Sequence, residues 1–169
     1  MVFQRPTRLT SSHELEQFDC TEESMNEWLR RYAFTSDRAG MCSVFVTTAP
    51  GDPRVIGYYA LSTAGVTTQE APERLSKGVG RYDIPVILLA RLAVDRTVQG
   101  QHLGKALLRD SLLRVLNVSQ EVGVRAVLIH CLNESAKAFY MSFAEFEPSP
   151  TDPLHLLLLL KDLKKALQE

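Results

Sequence analysis

Long apolar runs are missing from this 169-residue chain. The stretch Leu156 to Leu160 falls far short of the roughly 20 residues that span a bilayer, so a membrane-spanning helix is not expected and the run reads as a buried strand. Cysteine is also scarce. Cys20, Cys42 and Cys131 are odd in number, lie far apart and follow no secretory leader, which argues against a disulfide framework and for a reducing, cytoplasmic setting. The histidines His13, His102, His130 and His155 show no ligand spacing with one another or with the cysteines, so no metal is expected. An excess of either charge is lacking too: the formal net charge is -1, which gives no support for indiscriminate binding to nucleic acid, although a local patch can hide within balanced totals. What remains, 45% hydrophobic and 23% charged residues, is the composition of one ordinary globular domain over residues 1–169.

Periodicity then orders the elements. Asp19 with Glu22 three residues on resembles a capping box, and Met25, Trp28, Leu29 and Tyr32 stand at helical spacing, which predicts a helix from about Thr21 to Thr35. The segments CSVFVTTA and VIGYYALSTAGVTT, separated by Pro50-Gly51-Asp52-Pro53, predict a β-hairpin. Residues 69–85 carry prolines and glycines and read as a short helix or surface loop. VILLARLAVD reads as a central strand covered on both faces, followed by a glycine loop and a helix through about Val118. VRAVLIHCL predicts another buried strand, Asn133 to Ser142 a short helix, and LHLLLLLKDL a last strand running into a helical, basic end. The alternation implies a mixed α/β sheet.

The loop Gln99-Gly100-Gln101-His102-Leu103-Gly104-Lys105-Ala106 joins a strand to a helix, the order that turns backbone N–H groups and a positive dipole end towards an anion such as a diphosphate. It is not a Walker loop, because three residues rather than four separate its glycines and Ala106 follows Lys105. Glycine spacing alone leaves a tight packing turn as an equal alternative. Context decides: Gln101 to Ala106 fits Gln/Arg-x-x-Gly-x-Gly/Ala, the pyrophosphate loop of GNAT acetyltransferases, with RLAVD (Arg91 to Asp95) before it and AKAFY (Ala136 to Tyr140) after it. The chain therefore resembles that family over about half its length. Phe18-Asp19-Cys20, GYYALS and ILLARLAV extend the resemblance over nearly the whole chain to the acetyltransferase toxins of bacterial toxin–antitoxin modules, the TacT and AtaT type. In place of the aromatic-Gly-aromatic segment usual there stands Phe143-Ala144-Glu145-Phe146, which is expected to alter the start of the next strand, with a bulge.

The resemblance implies the GNAT fold, a mixed but mostly antiparallel sheet with a splayed central strand flanked by helices. It implies acetyl-CoA as cosubstrate, held by Leu92, Ala93, Val94, Gln99, Gly100, Gln101, His102, Leu103, Gly104, Lys105, Ala106, Asn133, Ala136 and Phe139, and Tyr140 as the acid that protonates the departing thiolate. No Asp or Glu stands where it would serve as a strong base. An α-amine of pKa about 7.7 is easier to deprotonate than a lysine of about 10.4, which leans towards the α-amino group of aminoacyl-tRNA, the acceptor the toxin resemblance also implies. An acetyltransferase of small amines or protein amino groups is the alternative. Further expectations are a ribbon-helix-helix antitoxin, a homodimer, and a basic acceptor rim from Arg30, Arg31, Arg38, Arg74, Lys77 and Arg81. Arg91 is either ion-paired or turned to the acceptor. His130 and Cys131 are expected to be plain strand residues and not catalytic, since neighbours on a strand point to opposite faces.

Overall fold

Branched and aromatic residues at 43–48 and 55–66 favour extended backbone, and they pair as expected. A computed structural model describes residues 2–168. β2 (Ser43–Thr48) and β3 (Val55–Val66) form an antiparallel hairpin in the register Phe45 opposite Tyr59, with a shift between Thr47 and Thr48. A two-residue β1 (Thr7–Arg8) adds to β2 antiparallel. β4 (Ile84–Val94) and β5 (Ala126–His130) run parallel, Val86 opposite Ala126 to Leu89 opposite Ile129. β7 (Asp152–Leu159) pairs antiparallel with both β5 and the short β6 (Glu147–Ser149). The strand order is β1-β2-β3-β4-β5-β7-β6, so the VILLARLAV strand, apolar but for Arg91, is central, as expected.

The chain divides into two compact units, one of residues up to Ser62 with Ala90–Ser111, the other of Thr63–Leu89 with the chain from Leu112 onward. In the first unit, helical residues run from 23 to 38 as α1 (Glu23–Glu27), a π-helical turn (Trp28–Ala33) and α2 (Phe34–Arg38). The expected capping box is not there. Glu22 occupies the N-cap without a side-chain bond, while the Asp19 carboxylate accepts from Thr21 N at 2.9 Å and from Asn26 Nδ2 at 3.0 Å. The π turn also displaces the apolar stripe: its wider winding leaves Tyr32 53% exposed and buries Ala33 completely. The core beneath joins Phe18, Leu29 and Ala33 to Val44, Val46, Tyr58, Ala60 and Ala93. Gly57 is required here by contact, since a Cβ would lie 2.9 Å from Leu107 Cδ1 and 3.1 Å from Thr47 Cγ2.

In the second unit, the short α3 (Glu73–Ser76) covers a core of Val66, Leu75, Ile84, Val86, Ala126, Leu128, Leu157 and Leu159. The Arg125 guanidinium donates to the carbonyls of Leu75 and Lys77 and pins that connection. α4 (Leu103–Ser119) follows the glycine loop, α5 (Glu134–Phe143) follows β5, and α6 (Leu160–Gln168) closes the chain. The Phe143 to Phe146 segment needs no glycine. Ala144 is extended, Phe146 N donates to Ala144 O at 2.9 Å, and the bulge falls later, between Pro148 and Ser149. No described helix is long and apolar enough to cross a membrane.

Candidate active site

At the end of β4 the chain must turn without leaving its amides unpaired, and Asp95 does this work. Its buried carboxylate accepts from Thr97 N at 2.9 Å and Thr97 Oγ1 at 2.7 Å through one oxygen, and from Asp19 N at 3.0 Å through the other. In return Arg96 N donates to Asp19 O at 2.8 Å, and the Gln99 amide reaches Val94 O at 3.0 Å and Cys20 O at 3.4 Å. The Phe18-Asp19-Cys20 segment is thus bonded to the start of the glycine loop. Thr21, held by Asp19, takes φ +78°, a left-handed conformation costly for a β-branched residue. Sequence reasoning missed this junction. Asp95 stood in the RLAVD motif, but its partner is 76 residues away.

The loop itself turns at a three-residue 3₁₀ stretch, Arg96–Val98, and at Gly100, whose φ of +80° suits glycine and whose Cβ position faces open space. The second left-handed residue is His102, φ +65°, not Gly104, which lies inside the first turn of α4. The first intrahelical bond near the start runs from Ala106 N to His102 O at 3.1 Å. The amides of the first turn before it are those a helix leaves without intrahelical partners, which suits a diphosphate. Gln101, His102, Lys105 and Ala106 are exposed around this turn, while Val98, Leu103, Leu107 and Leu108 anchor it in the core. On β4, Leu92 and Val94 are half-buried and Ala93 is buried in the first unit's core.

In the second unit, the Asn133 side chain caps α5 by accepting from Ala136 N at 2.9 Å. Asn133 is therefore a helix cap, a role the motif did not disclose. One turn on, the Phe139 ring meets Tyr140 edge-on at 5.1 Å and Phe146 meets it at 6.2 Å. Tyr140 is buried, and no hydrogen-bond partner for its hydroxyl is found among the described residues. Burial, with a smaller effect of the Cys131 sulfur, pushes its pKa well above the usual phenol value, so the hydroxyl keeps its proton at neutral pH.

The basic residues stand differently from one another. Arg30 pairs with Glu23 at 3.0 Å, Arg31 with Glu27 at 3.4 Å, and Arg38 lies over the Phe34 ring. Arg74 bridges Glu147 at 2.6 Å and the largely buried Asp162 at 3.0 Å, so much of its charge is spent on structure. Lys77 and Arg81 are exposed. Arg91 makes no ion pair among the described residues: it stacks on Trp28, 4.6 Å from the ring centre, with Nη1 3.5 Å from Met25 Sδ. Nor does any group of three or more His, Cys, Asp or Glu suited to a metal occur among the described residues.

A strand that ends in a glycine loop and helix start, with a protonated tyrosine on the helix after the next strand, is the arrangement of an acyl-CoA-dependent acetyltransferase. The chain belongs to the acetyltransferase (GNAT) family, whose model matches residues 8–146. It is 42% identical to the tRNA-acetylating toxin of Mycobacterium tuberculosis over 96% of this chain and 95% of that one. Among solved structures it is similar to AtaT complexed with acetyl-methionyl-tRNAfMet, with 27% identity, 97% and 98% of the two chains covered and a TM-score of 0.89. It also resembles a tyrosine-to-phenylalanine AtaT variant bound to the C-terminus of the antitoxin AtaR and acetyl-CoA, at 25% identity, 99% of both chains and a TM-score of 0.84.

Proposed function

We propose that this protein transfers the acetyl group of acetyl-CoA to the α-amino group of an aminoacyl-tRNA, and acts as a toxin that stops translation until an antitoxin restrains it. The observation that carries this reading is the 42% identity to a tRNA-acetylating toxin across almost the full length of both chains. The whole chain works as one GNAT domain. Acetyl-CoA rests its diphosphate on the amides from Gln101 to Ala106, with the arm along Leu92 to Val94, and Asn133, Ala136 and Phe139 are the binding residues the family resemblance assigns to the second unit. Tyr140 gives its proton to the sulfur as the C–S bond breaks. Arg30, Arg31, Arg38, Arg74, Lys77, Arg81 and Arg91 supply the acceptor's phosphates with positive charge, Arg74 least because of its two carboxylates. The antitoxin is of ribbon-helix-helix type, the toxin is a homodimer, and both act in the cytoplasm, where charged tRNA is found.

The test is to incubate the purified protein with labelled acetyl-CoA and, in parallel, bulk charged tRNA, protein and polyamine. Label on charged tRNA that survives nuclease digestion as N-acetylaminoacyl-adenosine is the expected result. Label on protein or polyamine alone overturns the acceptor and leaves the family chemistry in place.

A further inference from the structure

Acetyl transfer needs a group to take the amine's proton as well as one to supply the thiolate's, and no carboxylate in the family motifs does the first task. The end of β5 holds an unassigned pair of histidines. His130 and His155 are directly opposite in the β5–β7 register, and their rings stack at 3.9 Å with 17° between planes. Asp152 Oδ2 lies 3.3 Å from His155 Nε2, which gives the carboxylate to His155 and leaves the His130 nitrogens without it. His130 is exposed. The next residue, Cys131, is buried, its backbone N bonded to Leu154 O at 2.8 Å, and its sulfur is close enough to Tyr140 to influence the phenol.

Successive strand residues face opposite ways, so residues 130 and 131 present an imidazole on one face of the strand end and the tyrosine's neighbour on the other. We propose that His130 is the general base that removes the proton from the acceptor's α-amino group. This inference rests on the acetyl-transfer reading given above. A ring nitrogen of His130 first takes one proton from the acceptor's ammonium form; the neutral amine nitrogen then attacks the acetyl carbonyl carbon and forms the N–C bond, and the surplus proton on that nitrogen leaves to solvent. The C–S bond breaks, and Tyr140 delivers its proton to the sulfur. The products are the N-acetylated aminoacyl ester and free CoA thiol; His130 then returns its proton to solvent and Tyr140 regains one.

The amine and the sulfur are separate substituents of the tetrahedral carbon, so base and acid can come from different elements: His130 from the end of β5, and Tyr140 from α5, beside Cys131. The environment favours a neutral ring. Burial of its inner side, then the charge of His155, lower the His130 pKa, against smaller opposing effects of Asp152 on β7 and Glu70 on the loop before α3. This proposal departs from the expectation that His130 is an inert strand residue. Its signal lies in a cross-strand partner 25 positions on, which no local motif contains.

The experiment measures kcat/KM for acetylation of a charged tRNA from pH 6 to 9 in wild type, His130→Gln and His155→Gln, with acetyl-CoA affinity and thermal stability measured alongside. His130→Gln is expected to lose about 10² to 10³ in kcat/KM near pH 7 at unchanged acetyl-CoA affinity. The deficit narrows by about tenfold or more above the α-amino pKa of about 7.7, where the acceptor is already neutral. His155→Gln removes the imidazole whose interaction lowers the His130 pKa, so its acidic limb moves to higher pH. A His130→Gln loss of constant size across the range, or no loss, overturns the proposal, as does an unmoved acidic limb in His155→Gln if the first variant fails to fold. A wild type that labels no charged tRNA overturns the function reading instead.

Discussion

Tyr140 shows how burial can tune one side chain without any charged partner. The ring is fixed by Phe139 and Phe146, and the raised pKa keeps the hydroxyl in its acid form throughout the physiological range. Tyr140→Phe keeps the packing and removes the proton. Turnover is expected to fall by about 10² to 10⁴ while calorimetric affinity for acetyl-CoA is retained; near-normal kcat in a folded variant would mean that water protonates the thiolate. Asp37 makes a different residue-scale prediction. It receives two bonds from the Arg8 guanidinium, at 2.7 and 3.1 Å, and one from Val44 N at 2.8 Å. Burial opposes its charge, but these donors more than offset that and lower its pKa. A lowered folded-state pKa contributes stability that is present above the unfolded value of about 3.9 and lost as pH falls through the folded one. Asp37→Asn should therefore flatten the acid side of a Tm-against-pH curve, and an unchanged curve below pH 4 would count against this role.

At the scale of elements, the glycine loop makes the sharpest prediction. A side chain at Gly104 enters the first turn of α4, where the diphosphate is expected, so Gly104→Glu should abolish acetyl-CoA binding in calorimetry with the fold intact; unchanged affinity would displace the cofactor from this turn. The strands were legible because their apolar runs are long and their turns are marked, as with Pro50 to Pro53 between β2 and β3. α4 and α5 were legible for the same reason. Three features were not. The π-helical turn looks like ordinary helix in a list of residues, since Trp28, Leu29 and Tyr32 fit a 3.6-residue period until one extra residue per turn exposes Tyr32. β1 and β6, two and three residues long, carry too few side chains for any alternation to show. The Asp19–Glu22 pattern matched a capping box by spacing alone, whereas Asp19 had a stronger use in bonding Thr21 and Asn26. Around the candidate site, the strand, glycine loop and helix, and the helix that carries Tyr140, could be read from local order; the partners of Asp95 and the His130–His155 stack lie far apart in sequence.

For the molecule as a whole, a net charge of -1 has to be reconciled with the proposed acceptor, since tRNA is strongly anionic. Affinity for phosphate follows local charge, and each contact adds a slope of roughly 0.7 to 0.9 in log affinity against log salt. Reversing Arg30 and Arg31 together, or Lys77 and Arg81 together, should weaken tRNA acetylation and reduce that slope, while leaving acetyl-CoA affinity unchanged. Arg74 is a poorer target, because its loss strands Asp162. Unaltered tRNA acetylation in both double variants would remove these residues from the acceptor surface and favour a small amine.

The Asp95 carboxylate holds two backbone amides, those of Asp19 and Thr97, that belong to distant parts of the chain. Neither amide can exchange its hydrogen with solvent until that grip loosens, so one opening event sets the exchange rate of both. A ligand that steadies the loop after Asp95 makes such openings rarer, and the protection must appear at Asp19 as well as at Thr97. Deuterium uptake at residue 19 thus becomes a remote gauge of occupancy at the loop, readable without any measurement of turnover.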